Sequence, residues 1–518
     1  MTSTLSVTDA LTVTTASGSV RGAVRAGIRR WMGIPYAAAP VGQLRWHAPQ
    51  PVEPWRGVRA ATEPGAACPQ QPHPFTGGIS TRFAQSEDCL TLNVFSPFDA
   101  DRLPVLVFIH GGAYRSGASG IPEYDGTALA RRGVVVVTLS YRLGVFGSMD
   151  LRALNGDGIA FDANCTLRDQ VAALQWVRDA IAGFGGDPGR VTIVGESSGG
   201  NAITTLLATP SARGLFQAAI AQSPHPQTAH RAEKKAPHAE MLAERLGVDR
   251  RHAAREMLRV PASRLLTVAA ALDRDITAES PLVAAFSPTI DGDVLPEHPL
   301  IALRNGRAAS VPLIIGTNRD EYSLFEHGRA PVIPNTEARV RQLVEGTDPA
   351  AWARIRVLYG ERAGGGAARV ADARRAWSIA GGDGVFRVPS IEVADAHAEA
   401  GNPTWMYRYD HASPTLRLTG LGAAHGTELP YLFGTFGTPV GRLVAGADAA
   451  RVRRRIGNVL QGSWTGFVRD GVPAHRGWEW PRYETDRRRT LAIETVSRVL
   501  DDPDREARLA WSGVLYDY

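Results

Sequence analysis

Short β-branched and apolar runs recur along this chain between stretches with helical spacing. The runs Val105–Ile109, Val134–Ser140, Val191–Val194, Ala218–Gln222, Val311–Gly316 and Trp405–Tyr409 read as buried strands. Between the second and third, Leu167, Val171, Leu174, Val177, Ile181 and Phe184 step by four and three, which predicts one helix face over Leu167–Phe184. Gly185-Gly186-Asp187-Pro188 then ends that helix. Strands alternating with helices predict an α/β fold with a large, mostly parallel twisted sheet flanked by helices. The segment from Ala232 to Leu272 is helical in composition and richer in charge, so a cap or insertion is expected over about residues 232–280. Glu361–Asp383, with Gly364-Gly365-Gly366, reads as a surface loop. No repeat or low-complexity linker divides the chain, and one large domain over residues 1–518 is expected.

Composition narrows the function classes. Across 518 residues, 57 Lys+Arg against 52 Asp+Glu leave a net charge of only +5. That balance argues against a polybasic nucleic-acid or anionic-lipid binder. Lys234 and Lys235 are the only lysines, and the arginines are scattered without a block. The first residues, Met1 to Val20, show neither a basic nor an apolar segment of the signal-peptide kind. Apolar runs such as Val134–Leu139 fall far short of the roughly 20 residues a membrane span needs. The cytoplasm is therefore the expected location, with no membrane or nucleic-acid partner. Three cysteines, Cys68, Cys89 and Cys165, provide neither a disulfide scaffold nor a spaced zinc site.

The chemistry centres on Gly195-Glu196-Ser197-Ser198-Gly199, which follows the run Val191–Val194 and precedes a helical stretch, Asn201–Leu207. Chance supplies such a flanked serine roughly once in three chains of this glycine content, so the strand-before, helix-after context carries the argument. In a nucleophile elbow the serine sits on a strained turn and strand and helix pass too closely for side chains at the flanking positions. Of the two adjacent serines, only Ser197 has glycine at both −2 and +2. Upstream, His110-Gly111-Gly112-Ala113-Tyr114 follows a strand and can turn backbone N–H groups toward a developing oxyanion. A strand-end turn or a phosphate nest is the competing reading of that loop.

Three stretches together resemble the type-B carboxylesterases, the α/β-hydrolase family that includes cholinesterases and bacterial p-nitrobenzyl esterases. They are Ser86-Glu87-Asp88-Cys89-Leu90-Thr91-Leu92-Asn93, the His110-Gly-Gly-Ala113 loop, and Phe184-Gly-Gly-Asp-Pro188 with Gly195-Glu-Ser-Ser-Gly199. The similarity runs from Gly33-Ile-Pro-Tyr-Ala37 to Trp464-Thr-Gly-Phe467. It implies a triad in the order Ser197, acid, histidine. Gly316-Thr-Asn-Arg-Asp320-Glu321 places the acid at Glu321, although Asp320 rivals it on chemistry alone. Ala424-His425-Gly426-Thr-Glu428 places the base at His425, a choice that composition could not make among thirteen histidines. The family pattern further implies oxyanion donors at Gly112, Ala113 and Ser198, supported by Gly111, and no metal or organic cofactor.

Glu196 is expected in the pocket and Ser223 behind the triad, with Arg45–Glu87 and Arg142–Asp169 as structural ion pairs. His110 is expected to pack the loop. Leu282, Ala284 and Phe286 are the implied acyl-pocket residues, with Leu324 and Phe325 also lining the gorge. Acetyl-selective relatives carry bulky aromatics where Leu282 and Ala284 stand here, so a pocket roomier than acetyl is expected. Cys68 to Cys89 contains Phe75 and Phe83 but no tryptophan, which speaks against a quaternary-ammonium cage. The same cysteines match a disulfide of secreted relatives and are expected to stay reduced in a cytoplasmic chain. Two positions depart from the family: Ser198 stands where alanine is usual, and Thr166 replaces glycine before a helix. The reading is a serine carboxylesterase for uncharged small-molecule esters, with aryl esters and carbamates among the candidates. An adhesion protein on the same fold, as the neuroligins are, and an acyltransferase are the alternatives. Oligomeric state is not legible in the sequence.

Overall fold

Apolar side chains on both faces make a strand stable only where helices cover the sheet twice, and the centre of this chain has that character. The computed structural model describes residues 11–72, 83–279, 283–326, 333–345, 348–360, 369–473 and 479–514. Among these, eleven strands form the main sheet: β1 (Ala23–Arg25), β2 (Ile28–Pro35), β3 (Thr91–Pro97), β4 (Leu103–Ile109), β5 (Val135–Leu139), β6 (Gly186–Glu196), β7 (Ala218–Gln222), β8 (Leu313–Asn318), β9 (Thr404–Tyr409), β10 (Thr490–Ile493) and β11 (Arg498–Leu500). Their spatial order is β11-β10-β9-β8-β7-β6-β4-β5-β3-β2-β1. From β5 to β10 every pairing is parallel, whereas β3, β2, β1 and β11 are antiparallel margins.

Register sorts the core into two layers. Val137, Val107, Ile193, Ala219 and Leu313 stand side by side across the central strands and enter one hydrophobic cluster. Their neighbours Leu106, Phe108, Val194, Ile220 and Ile314 point the other way into a second cluster with Trp405 and Trp464. That alternation is the period of two of a strand, realised with apolar residues on both sides. The carboxyl ends of β4, β6, β7 and β8 (Ile109, Glu196, Gln222 and Asn318) consequently lie along one edge of the sheet. Loops leaving such an edge are where open α/β sheets place their ligand sites.

The expected strands are present with shifted ends: Val311–Gly316 becomes Leu313–Asn318, and Val191–Val194 is the middle of Gly186–Glu196. The expected helix is α1 (Cys165–Ala180), closed by a 3-10 turn at Ile181–Phe184 and by Gly185 at φ +86°. Next to it, Thr166 donates its hydroxyl hydrogen to the Arg142 carbonyl at 2.6 Å, so threonine is held at the position where glycine is usual. After α2 (Ser198–Leu207), the charged segment forms α3 (Ala232–Leu246), α4 (Ala253–Arg259) and α5 (Ala262–Glu279).

One expectation is corrected. The stretch read as a loop over 361–383 is helical from Arg369 to Gly382, here α6; Gly364-Gly365-Gly366 lies outside the described residues. Alanine and arginine favour helix, and together they supply half of the residues from Arg369 to Gly382. Cys68, Cys89 and Cys165 are buried free thiols. Cys68 and Cys89 are in hydrogen-bond contact, and that contact together with burial raises the Cys89 pKa.

Candidate active site

Ser197 occupies the single residue between β6 and α2, with φ +59° and ψ −124°. A non-glycine residue there is strained, and the surrounding contacts hold it. Its N–H donates to the Gln222 carbonyl (2.9 Å), and its own carbonyl accepts the Asn201 N–H (2.8 Å). A Cβ on Gly199 would lie 2.1 Å from the Ile109 carbonyl oxygen, so this close crossing of helix and strand requires glycine.

His425 sits in the turn before the short helix Leu429–Phe433. Its Nδ1–H donates to Glu321 Oε2 at 2.5 Å. Glu321 Oε1 in turn receives the Ser223 hydroxyl (2.6 Å) and the Asn318 N–H (2.7 Å). Behind them, Glu428 accepts from Asn318 Nδ2 (2.7 Å) and Gln222 Nε2 (2.9 Å). The carboxylate is thus fixed by three donors, and the ring can turn little. Asp320 is excluded from this constellation, because its Oδ2 accepts the Ala423 N–H (2.8 Å) and pairs with Arg319.

His425 Nε2 lies 3.2 Å from Glu196 Oε1, yet neither atom has a hydrogen-bond partner. Burial raises the Glu196 pKa to about 8. Burial alone would lower the pKa of His425. The charges of Glu196 and then Glu321, together with the Glu321 hydrogen bond, outweigh it and raise the value to about 9. The imidazole therefore stands between two carboxylates, one on each ring nitrogen.

The loop opposite contains Gly112 (φ +122°), Ala113 (φ +56°) and Tyr114 (φ +57°) in left-handed or related conformations. Successive positive φ values turn the local N–H groups toward one side. At Gly111, a Cβ would approach the Ser197 Cβ to 2.9 Å, which shows how closely this loop packs on the elbow. The extra hydroxyl of Ser198 is directed to this loop: Ser198 Oγ accepts the Tyr114 N–H at 3.3 Å. His110 stacks on Tyr141 (4.4 Å) and donates from Nδ1 to the Gly111 carbonyl (2.8 Å), and burial lowers its pKa to about 4.

These elements enclose a predominantly apolar cavity of about 350 Å³, which Gly111, Gly112, Ala113, Glu196, Ser197 and His425 share. Ala284, Phe286, Leu324 and Phe325 line it, whereas Leu282 and Phe75 lie outside the described residues. Phe83 packs against the Ala67, Ala118 and Ile121 cluster. Arg45 makes a two-point contact with Glu87 (2.6 and 2.8 Å), as Arg142 does with Asp169 (2.6 and 2.8 Å). No group of three or more metal-ligating side chains gathers among the described residues, and none of their helices is long and apolar enough to cross a membrane.

Asn318, Gln222, His225, Lys235, Asp273 and Phe386 also stand at or around the site without a motif that marks them. Asn318 and Gln222 stand inside the segments quoted above, as the last residues of β8 and β7. The others depend on which distant segments fold against the cavity, and a local pattern contains no sign of that.

Comparison with known proteins agrees with this geometry. Residues 9–511 match the Carboxylesterase family. The chain is 37% identical to the para-nitrobenzyl esterase of Bacillus subtilis, over 96% of this chain and 97% of that one. It is 35% identical to the phenmedipham hydrolase of Pseudarthrobacter oxydans, over 95% and 97%. Among solved structures, a PNB esterase superposes with a TM-score of 0.84 at 34% identity, covering 96% of this chain and 99% of that one. The protein belongs to the carboxylesterase family, with the α/β-hydrolase fold, and is a carboxylic ester hydrolase.

Proposed function

We propose that the protein cleaves uncharged carboxylic esters through an acyl-Ser197 intermediate. The observation that carries this reading is Ser197 on its strained elbow, in one apolar cavity with a histidine whose other nitrogen is held by a buried glutamate. His425 Nε2 takes the proton from Ser197 Oγ as that oxygen attacks the ester carbonyl. Glu321 keeps the Nδ1–H tautomer and stabilises the imidazolium. The N–H groups of Gly112, Ala113 and Ser198 receive the oxyanion. His425 then protonates the departing alcohol, and water cleaves the acyl-serine with the same histidine as base.

The substrate reading follows from the walls. Phe286, Phe325 and Phe386 favour apolar or aromatic groups, and Ala284 leaves space beyond an acetyl chain. An aryl ester, or a carbamate of the kind that the phenmedipham relative's name indicates, suits such a cavity.

The test is turnover of p-nitrophenyl esters and labelling by an organophosphate in the intact protein and in Ser197→Ala. Loss of both by at least ~10³-fold is expected. Labelling or turnover that survives the substitution overturns the assignment. A p-nitrophenyl series should also favour butyrate or benzoate over acetate, and clear acetate selectivity would contradict the pocket reading.

A further inference from the structure

His225 gives the apolar cavity a neutral hydrogen-bond acceptor that the triad does not use. It lies two residues beyond Ser223, on the loop leaving β7, and lines the same cavity as Ser197. The parallel pairing of His230–Arg231 with Thr289–Ile290, and the His230 N–H to Pro288 carbonyl bond (3.2 Å), run this loop beside the segment that carries Ala284 and Phe286. His225 therefore belongs to the wall assigned to the acyl group.

Its tautomer follows from counting donors and acceptors. Thr228 Oγ1 has one hydrogen and two lone pairs. It accepts from Asn201 Nδ2 (3.2 Å) and lies 3.1 Å from both the His225 carbonyl and His225 Nδ1. The carbonyl can only accept, so the threonine donates to it. All three contacts are then satisfied when Nδ1–H donates to Thr228 Oγ1. Nε2 is left as the ring atom with a lone pair and is not among the buried unpartnered atoms. The ring also packs on Phe386 at 6.1 Å, and Phe386 packs on His425 at 4.7 Å. Burial, with the charges of His425 and Arg115, lowers the His225 pKa to about 4 and keeps the imidazole neutral in ordinary buffers.

We infer that His225 is a specificity-determining residue: its Nε2 accepts a hydrogen bond from a hydroxyl or N–H group on the acyl chain of the substrate. The inference rests on the acyl-serine reading above. An apolar wall gains little from a donor-bearing acyl group, whereas a fixed acceptor within that wall discriminates for it.

The probes are p-nitrophenyl 3-hydroxybutyrate and 3-methoxybutyrate, compared through kcat/KM and corrected for their alkaline hydrolysis rates. The intact protein should prefer the hydroxy ester by roughly two- to tenfold. His225→Leu should bring the ratio to about one, and His225→Gln, which retains an acceptor oxygen, should restore part of it. Organophosphate titration counts competent sites in each preparation. A wild-type ratio of one or less overturns the inference whether or not the variants fold. An unchanged ratio in His225→Leu overturns it too, as does an equal loss in Leu and Gln. If the intact protein cleaves neither ester nor any other p-nitrophenyl ester, the acyl-serine reading fails first and the inference with it.

Discussion

Ser198 and Glu196 flank Ser197, and each does something its residue type alone does not reveal. The Ser198 hydroxyl accepts the Tyr114 N–H and ties the elbow to the opposing loop. Ser198→Ala should lower kcat by roughly two- to tenfold with KM nearly unchanged, the size of one neutral hydrogen bond that positions donors. Stopped-flow acylation rates would check this, and an unaffected acylation rate would remove the positioning role. Glu196 acts through charge. The base must be unprotonated to act, so a His425 pKa raised to about 9 makes kcat/KM climb through neutral pH into the alkaline range. Glu196→Gln removes the largest of the carboxylate charge contributions that raise it. The acid limb of the pH profile should then move to lower pH, and a limb that stays or moves upward contradicts the geometry. These residues were legible in the sequence where a motif fixes them: glycines forced by close crossings set the register of Ser197. The Glu321 over Asp320 choice was settled only by family resemblance, since both carboxylates follow the same strand and only the backbone direction separates them.

At the scale of elements, the helices over 232–279 matter more than their charged composition suggests. Asp273 on α5 reaches in two directions: Oδ2 accepts from Arg115 Nε at 2.6 Å, and Oδ1 accepts the Ala285 N–H at 3.1 Å. On α3, buried Lys235 donates to the Ser287 carbonyl, to Ser287 Oγ (3.2 Å) and to the Ser148 carbonyl (3.3 Å). Helices α3 and α5 thus grip the 285–287 segment on both sides of Phe286. Asp273→Ala would leave the Ala285 N–H and the Arg115 guanidinium without that partner. It should cost about 1–3 kcal/mol of stability and blur the ratio between butyryl and benzoyl esters. Urea unfolding together with that substrate pair checks both parts, and a variant with unchanged stability and ratio would show that the clamp does not shape the pocket. The central strands were legible because a doubly covered parallel sheet needs continuous apolar runs. The antiparallel margin β1–β3 was not, because Arg29, Arg30 and Asn93 interrupt the apolar pattern. The clamp was equally hidden, since its partners are more than ten residues apart in one case and more than fifty in the other.

For the whole molecule, the sum of buried titrating groups places the pH of greatest stability below the pH of greatest activity. Burial is the leading cause that lowers His110, His225, His238 and His397 from an ordinary 6.5 to about 4. Between those values the unfolded chain binds their protons and the folded chain does not. Each imidazole therefore contributes stability that declines as pH falls below 6.5, with a limiting slope of about 1.4 kcal/mol per pH unit. Glu196 and Glu392 act in the opposite sense, because burial raises them to about 8 and about 7. Their folded forms hold protons that the unfolded chain has released, so stability falls as pH rises from 4.5 through those values. His425, raised to about 9, adds a further loss between 6.5 and 9. His298 is lowered by burial as well, and buried Asp169, Asp383 and Glu428 are raised, so the two kinds of group oppose each other on the acid side. Above 6.5 the imidazoles add no further slope while Glu196, Glu392 and His425 act together, which puts the maximum at or below about pH 6.5. Lys235, lowered to about 8 by burial, reverses part of the loss only above that pH. Catalysis follows the deprotonation of His425 and continues to increase where stability is already declining. Melting temperatures and initial rates of p-nitrophenyl butyrate cleavage across pH 5 to 9 should therefore peak at different pH values, with the rate maximum on the alkaline side. Coincident maxima would mean that Glu196, Glu392 and His425 are not shifted in the folded chain as burial and neighbouring charge require.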